Sequence, residues 1–192
     1  MTNRNLELLY EIGSLKNVPR GWRQYLAMDV ASVLEHTFRA TFLALIIARR
    51  EGVKTEEKIL KMALVHDIFE TRISEITYVP RVYVKPDTAK ASKDMFFGTS
   101  LSDLEELIKE YEKCESIEAK IIKDADALDI DIELKELEER GHQTPKKWEK
   151  IRKMVSEKKL YTKSAKKMWD EIQDSDPSSW HLKINKFVKD LR

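Results

Sequence analysis

Cysteine is almost missing from this sequence: Cys114 stands alone among 192 residues. A single thiol excludes an intrachain disulfide, so packing must hold the fold, as it does in reducing compartments. Net charge is nearly missing too, with Lys+Arg 35 against Asp+Glu 34 and a balance of +1. No overall field therefore draws the chain to nucleic acid or to an anionic membrane, and no basic stripe with interleaved aromatics points to nucleic-acid binding. No apolar run approaches the roughly 20 residues of a membrane-spanning helix. The opening MTNRNLELLYEIG lacks a signal-peptide pattern, and the expectation is a cytoplasmic protein. Glycine and proline are sparse, five of each, so little punctuates the helical periodicity that runs through the chain.

What is present is a globular composition with a densely ionic surface, 42% apolar and 36% charged. The length suits one hydrophobic core, so residues 1–192 are read as a single domain. The periodicity predicts an all-α fold. A first helix spans Asn5 to Lys16, with Leu6, Leu9, Ile12 and Leu15 as its apolar stripe. Pro19 and Gly21 break the chain before a short helix. Ser32 and Glu35 form a capping box opening a long helix that ends near Gly52. Thr55 caps the next, through Ile59, Ala63 and His66 to about Arg72. The stretch from Thr77 to Ser100 reads as a loop or flap with one helical turn. Ser102 and Glu105 make a second capping box, for a helix to Lys113. Ser116 opens another, with Ile117, Ile121, Ala125, Leu128 and Ile132 on one face and Gly141 as its stop. Further helices begin at Pro145, near Ser164, and at Pro177 behind the cap Asp176.

The chemistry gathers in ALVHDIFETR, Ala63 to Arg72. On a continuous helix Glu70 lies beside Asp67 and His66, and the cluster prolongs the apolar stripe of Ile59 and Ala63. Buried carboxylates need partners or a cation, since leaving them bare costs several kcal/mol. One resolution is an ion-pair network with Arg72 or Arg39. The other is a metal. His36 falls in the first turn of its own core helix, and IIKDADALDID places Asp124, Asp126, Asp129 and Asp131 along an apolar-periodic helix. Periodicity does not choose between Asp126 and Asp129, the second lying slightly nearer the stripe. Two imidazoles and two carboxylates suit a borderline divalent ion with positions left open for water, which lowers the pKa of that water and readies it to attack phosphorus. Glu70 stands ready to orient or deprotonate it.

The order His36, His66-Asp67, Asp126 resembles the H…HD…D signature of HD-domain metal-dependent phosphohydrolases. RGW (Arg20 to Trp22), SVLEHT (Ser32 to Thr37), ALVHDIFE (Ala63 to Glu70) and SIEAKIIKDADALD (Ser116 to Asp129) follow that family's 5′-deoxynucleotidase branch over about residues 5 to 140. The resemblance implies an HD-domain helical bundle with additional C-terminal helices, residues 141–192, packed on it. It implies metal ligation by His36, His66, Asp67 and Asp126, and thereby selects Asp126 over Asp129. It also implies that Glu70 serves the attacking water, that Arg20 and Trp22 help bind a nucleotide, and that the protein is a homodimer. The branch usually carries a glycine-aspartate pair before an isoleucine where this chain has Ser74-Glu75-Ile76, which puts Glu75 near the substrate's sugar and leaves the deoxyribose preference open.

The expected activity is hydrolysis of a (deoxy)nucleoside 5′-monophosphate to nucleoside and phosphate, with one divalent ion (Mn, Co, Ni, Fe or Zn) as cofactor. A second reading keeps the site and changes the substrate to a nucleotide di- or triphosphate, a cyclic phosphodiester or another small phosphorylated metabolite. A third is a non-catalytic helical metal-binding module. Trp148, Trp169 and Trp180 in the C-terminal third read as core and dimer surface.

Overall fold

The structure is a computed structural model that describes residues 3–184. Its ordered elements there are helices: α1 (Arg4–Gly13), α2 (Arg23–Leu26), α3 (Val33–Arg50), α4 (Glu56–Val65), α5 (Glu70–Ile73), α6 (Thr88–Phe96), α7 (Leu104–Lys113), α8 (Ile117–Glu139), α9 (Thr144–Lys158), α10 (Lys163–Gln173) and α11 (Ser179–Ile184). Short 3-10 turns cover Ser14–Asn17 and Pro80–Val82. Among the described residues no helix is long and apolar enough to cross a membrane.

α3 and α8 lie side by side at the centre, with α4, α7, α9 and α10 around them. The Ser32–Glu35 capping box forms, with Ser32 Oγ accepting the Glu35 N–H and the Glu35 carboxylate accepting the Ser32 N–H at 2.7 Å. It fixes where α3 starts, and so the turn on which His36 sits. Ser116 caps α8 through the Ala119 N–H. Gly52 and Gly141, at φ +72 and +84, take the left-handed conformation that ends α3 and α8. Ile47, Ile59, Met62, Ile121 and Leu128 form one buried cluster, while Leu8, Val33, Met95 and Phe96 centre a second.

Several local expectations are overturned by packing. α1 buries Leu8 and leaves Leu6 and Leu9 exposed, while Leu15 is buried in the 3-10 turn that follows, because the second core receives the side of Leu8, Ile12 and Leu15. Ile117 is likewise exposed at the mouth of α8. Thr55 precedes α4 without capping it; its hydroxyl donates to Glu118 on α8 at 2.8 Å. Ser102 makes no capping box either, since α7 begins two residues later, behind Asp103. The 77–100 stretch is more than a flap: Asp87 accepts the Lys90 N–H and starts the nine-residue α6, whose Met95 and Phe96 are buried. The helix expected from Pro177 begins at Ser179, two residues beyond it.

The C-terminal helices are tied to α8 by its acidic residues. Asp124 accepts the Tyr161 and Thr162 N–H groups at 2.7 and 2.8 Å and the Thr162 hydroxyl at 2.7 Å, anchoring the start of α10. Asp131 receives Arg152 of α9 at 2.9 and 2.6 Å, a two-pronged pairing that planar guanidinium favours. The acidic run is thus partitioned by direction: Asp124 and Asp131 hold helices, and Asp126 and Asp129 face another centre.

Candidate metal centre

The helix expected to run to Arg72 breaks at the site itself. α4 ends at Val65, and Ile68 N–H to Val65 O (3.2 Å) and Glu70 N–H to Asp67 O (3.0 Å) replace the four-residue ladder with three-residue bonds. In so tight a turn residues three apart eclipse, so Glu70 still stands over Asp67. The break also lets His66 Nδ1–H donate to Ala63 O at 2.7 Å.

His36, His66, Asp67 and Asp126 meet here, each offering one ligand atom within 4.8 Å of the others. His36 Nε2 lies 3.3 Å from Asp126 Oδ1 and 3.6 Å from Asp67 Oδ2, and His66 Nε2 lies 3.3 Å from Asp67 Oδ2. Both histidines are fully buried, and both Nε2 atoms lack a hydrogen-bond partner. Two orphaned buried nitrogens are costly in a dry fold and fit a divalent ion placed between them and the carboxylates. Each ring's other nitrogen is tied back, to Ala63 O for His66 and to Asp129 Oδ2 at 2.7 Å for His36. These bonds put the proton on Nδ1 and turn the Nε2 lone pair inward.

Asp126 and Asp129 thus divide between the two edges of one imidazole. Asp126 reaches Nε2 on the cavity side, and the fully buried Asp129 holds Nδ1. Arg39 bonds Asp129 and reaches Glu136 at 2.9 Å, which completes a chain from the surface to His36. The sequence offers Asp129 only as the alternative to Asp126 at the metal; its place on the other edge of the His36 ring comes from the fold. Replacing Asp129 with alanine should weaken metal affinity about 10- to 100-fold. Competition with a chromophoric chelator measures this, and an unchanged affinity would remove Asp129 from the site.

The ion-pair alternative does not form as anticipated. Arg72 is bonded to Glu11 at the surface, and Arg39 serves Asp129 without touching the His66–Glu70 turn. Arg20 is the basic residue that comes in. Buried, it lies 3.5 Å from Glu75, 3.8 Å from Asp67 and 3.9 Å from Asp126, with its guanidinium carbon 4.4 Å from the Trp22 ring centroid. Trp22 is buried and supports Arg20 from below.

Glu75 accepts the Gly21 N–H at 2.7 Å, joining the Arg20 loop to the segment after α5. The two backbones approach so closely that a Cβ on Gly21 would stand 2.0 Å from Thr77 Cγ2. Ser74, where the resemblance has glycine, sits at φ +58 and ψ 168, a conformation that strains any residue with a Cβ.

Electrostatics separate the carboxylates. Burial, with Asp67 and Glu75 adding, pushes the Glu70 carboxyl up to about 9, and its Oε2 has no partner. Burial also works against charge on Asp67, but His66 and His36 outweigh it and hold that carboxyl well below its usual range. Two carboxylates one turn apart are therefore set for opposite protonation states, a pattern that marks acid-base sites.

The two carboxylates of the cluster open into a cavity of about 1050 Å³. Arg20, Trp22, Asp67, Glu70, Glu75 and Asp126 all line it. So do Tyr111 and Lys123, which sequence reasoning did not single out, and Trp148 of α9, expected only in core or dimer surface. Trp169 packs against the main core, whereas Trp180 is exposed.

Residues 12–169 match the profile of the HD domain family, a span that extends into α10 and so beyond the stretch from 5 to 140 on which the resemblance rested. A Danio rerio protein named 5′-deoxynucleotidase HDDC2 is 34% identical over 142 residues, covering 70% of each chain. Its Homo sapiens namesake is 28% identical over 144 residues, 71% of this chain and 70% of that one. Among solved structures, a conserved hypothetical protein from Pyrococcus furiosus superposes with a TM-score of 0.75 at 28% identity, covering 88% of this chain and 99% of that one. A protein from Magnetospirillum magnetotacticum titled a predicted metal-dependent phosphohydrolase shares the fold, with a TM-score of 0.67 at 21% identity over 89% and 90% of the two chains. With the signature residues converging on one point and the profile spanning most of the sequence, this chain belongs to the HD domain family.

Proposed function

We propose that the protein is a metal-dependent phosphomonoesterase that hydrolyses (deoxy)nucleoside 5′-monophosphates to nucleoside and phosphate. One observation carries this reading: two unpartnered, buried histidine nitrogens meet two carboxylates, Asp67 and Asp126, that line a cavity also presenting Arg20 and Glu70. The relatives named 5′-deoxynucleotidase support the substrate class.

A divalent ion held by His36, His66, Asp67 and Asp126 supplies Lewis acidity toward the phosphate and lowers the pKa of water. Glu70, directly above Asp67, aligns the attacking water and takes its proton. Arg20 reaches none of its three carboxylate neighbours at hydrogen-bond distance, so its donors stay open to phosphate oxygens while Trp22 and Glu75 fix its orientation. Glu75 and Trp22 also line the cavity and are taken to meet the nucleoside. A colorimetric phosphate assay over deoxy- and ribonucleoside 5′-monophosphates with Mn²⁺, Co²⁺, Ni²⁺ and Mg²⁺ tests the activity and identifies the preferred metal and sugar. Failure to release phosphate with every combination sinks it.

The size of the cavity, with Arg81 and Lys85 on its wall, favours a second reading in which the nucleotide carries more than one phosphate. Chromatography separates the two: pyrophosphate or a shorter nucleotide among the products selects the second.

The chain is taken to act as one domain, with α9 and α10 packed on α8, and as a homodimer. Leu34, Phe38, Phe42 and Ile46 form an exposed apolar stripe at four-residue spacing on α3, and Phe38 and Phe42 pack edge to face at 5.3 Å. Light scattering should give twice the 22.5 kDa chain mass, and Phe42→Glu should halve it. A monomer at micromolar concentration refutes the dimer. The lone thiol suits a cytoplasmic location, which fractionation against a cytoplasmic marker checks.

A further inference from the structure

We propose that Lys123 is a further electrostatic contact for the substrate's phosphate, beside the metal site and Arg20. The proposal rests on the phosphomonoesterase reading. Around the metal cluster, Asp67, Glu70, Glu75 and Asp126 set four carboxylates against the single guanidinium of Arg20. Arg20 is shared among three of them at 3.5 to 3.9 Å, so it brings directed donors but little surplus charge. A divalent ion adds two positive charges to a site whose own residues bring more negative charge than that. Arg81 and Lys85 stand on the cavity wall, and a phosphate dianion bound at the cluster gains from a cation held against the cluster itself.

Lys123 is placed to be that cation. It lies on α8 three residues before Asp126, on the same face, and both side chains line the cavity. Its ammonium sits 3.5 Å from the centroid of the Tyr111 ring. Tyr111 is buried, packs edge-on against His66 at 5.4 Å and directs its hydroxyl toward Asp126 Oδ2 at 3.5 Å. The ring therefore holds the ammonium beside the metal cluster through its negative face, without neutralising it. Among the described residues no carboxylate lies within 4.0 Å of Lys123 Nζ. The other ionised side chains of α8 are mostly spoken for: Asp124 by α10, Asp129 by His36 and Arg39, Asp131 by Arg152. A half-buried cation without an ion-pair partner, stacked on an aromatic and opening into an acidic metal cavity, is suited to an incoming anion.

The test uses inorganic phosphate as probe on the Mn²⁺-loaded full chain, by titration calorimetry and as a competitive inhibitor of nucleotide hydrolysis. Lys123→Met should weaken phosphate binding and raise KM about tenfold or more, as loss of a charge-assisted contact does, with Mn²⁺ affinity unchanged. Lys123→Arg should restore most of the binding. Undiminished phosphate affinity and KM in Lys123→Met, or no phosphate binding by the wild-type protein, would overturn the assignment; turnover by that protein would still uphold the phosphomonoesterase reading. Lys123-dependent phosphate binding without hydrolysis of any monophosphate would instead refute the activity and leave the anion site standing.

Discussion

His66→Ala is expected to eliminate tight metal binding and to lower kcat/KM by at least about 10³-fold, the scale of several kcal/mol of lost Lewis-acid stabilisation. His66 Nε2 is one of four ligand atoms within 4.8 Å, and its removal leaves one imidazole to hold the ion between two carboxylates that Arg20 also attracts. Elemental analysis after gel filtration reads the metal, and initial rates with added Mn²⁺ read the activity. Far-ultraviolet circular dichroism should show the helices intact, because α4 is held by Ile59, Met62 and Ala63 in the core. Wild-type metal content with wild-type turnover would end the metal-centre assignment. Lost thermal stability with turnover retained would make the ion structural.

Glu70→Gln should keep the metal and lose turnover, by about 10² to 10⁴-fold in kcat, because the amide preserves shape but accepts no proton from water. Its pH behaviour is equally specific. Burial together with Asp67 and Glu75 raises the carboxyl from an ordinary 4.5 to about 9 when only protein groups act on it. The folded chain then keeps a proton that the unfolded chain has released. The stabilisation is whole below pH 4.5 and is lost as pH rises toward 9. Denaturant titrations in EDTA should show wild-type stability falling across that interval, and Glu70→Gln falling less. A divalent ion beside Asp67 favours the ionised form, so the loaded wild-type enzyme should show an acidic limb in kcat/KM that the variant lacks. Equal stability slopes and equal rate profiles would remove Glu70 from the chemistry.

Much of this molecule is written locally. Ser32 with Glu35, Ser116, Gly52 and Gly141 mark the limits of α3 and α8 because caps and left-handed turns depend on a few adjacent residues. The H…HD…D order and Glu70 were legible for the same reason, as residue types at fixed spacing. Helical spacing also relates residues on one helix to each other, which kept Glu70 with Asp67 even though the turn tightened.

What local spacing cannot provide is the rotation of each helix against its neighbours. Leu6 and Leu9 look equivalent to Leu15 along the helix expected over Asn5 to Lys16, and only the packing of the second core shows that Leu8 faces inward instead. Periodicity leaves Asp126 and Asp129 open and only the resemblance prefers Asp126; the His36 ring, arriving from α3, gives one carboxylate to each nitrogen. Arg20, Tyr111, Lys123 and Trp148 come from four separate segments, so their shared cavity is a product of tertiary packing. ALVHDIFETR therefore carries the chemistry of the metal centre in its own residues. The geometry that exposes two histidine nitrogens to one point, and surrounds that point with its cations, belongs to the tertiary fold.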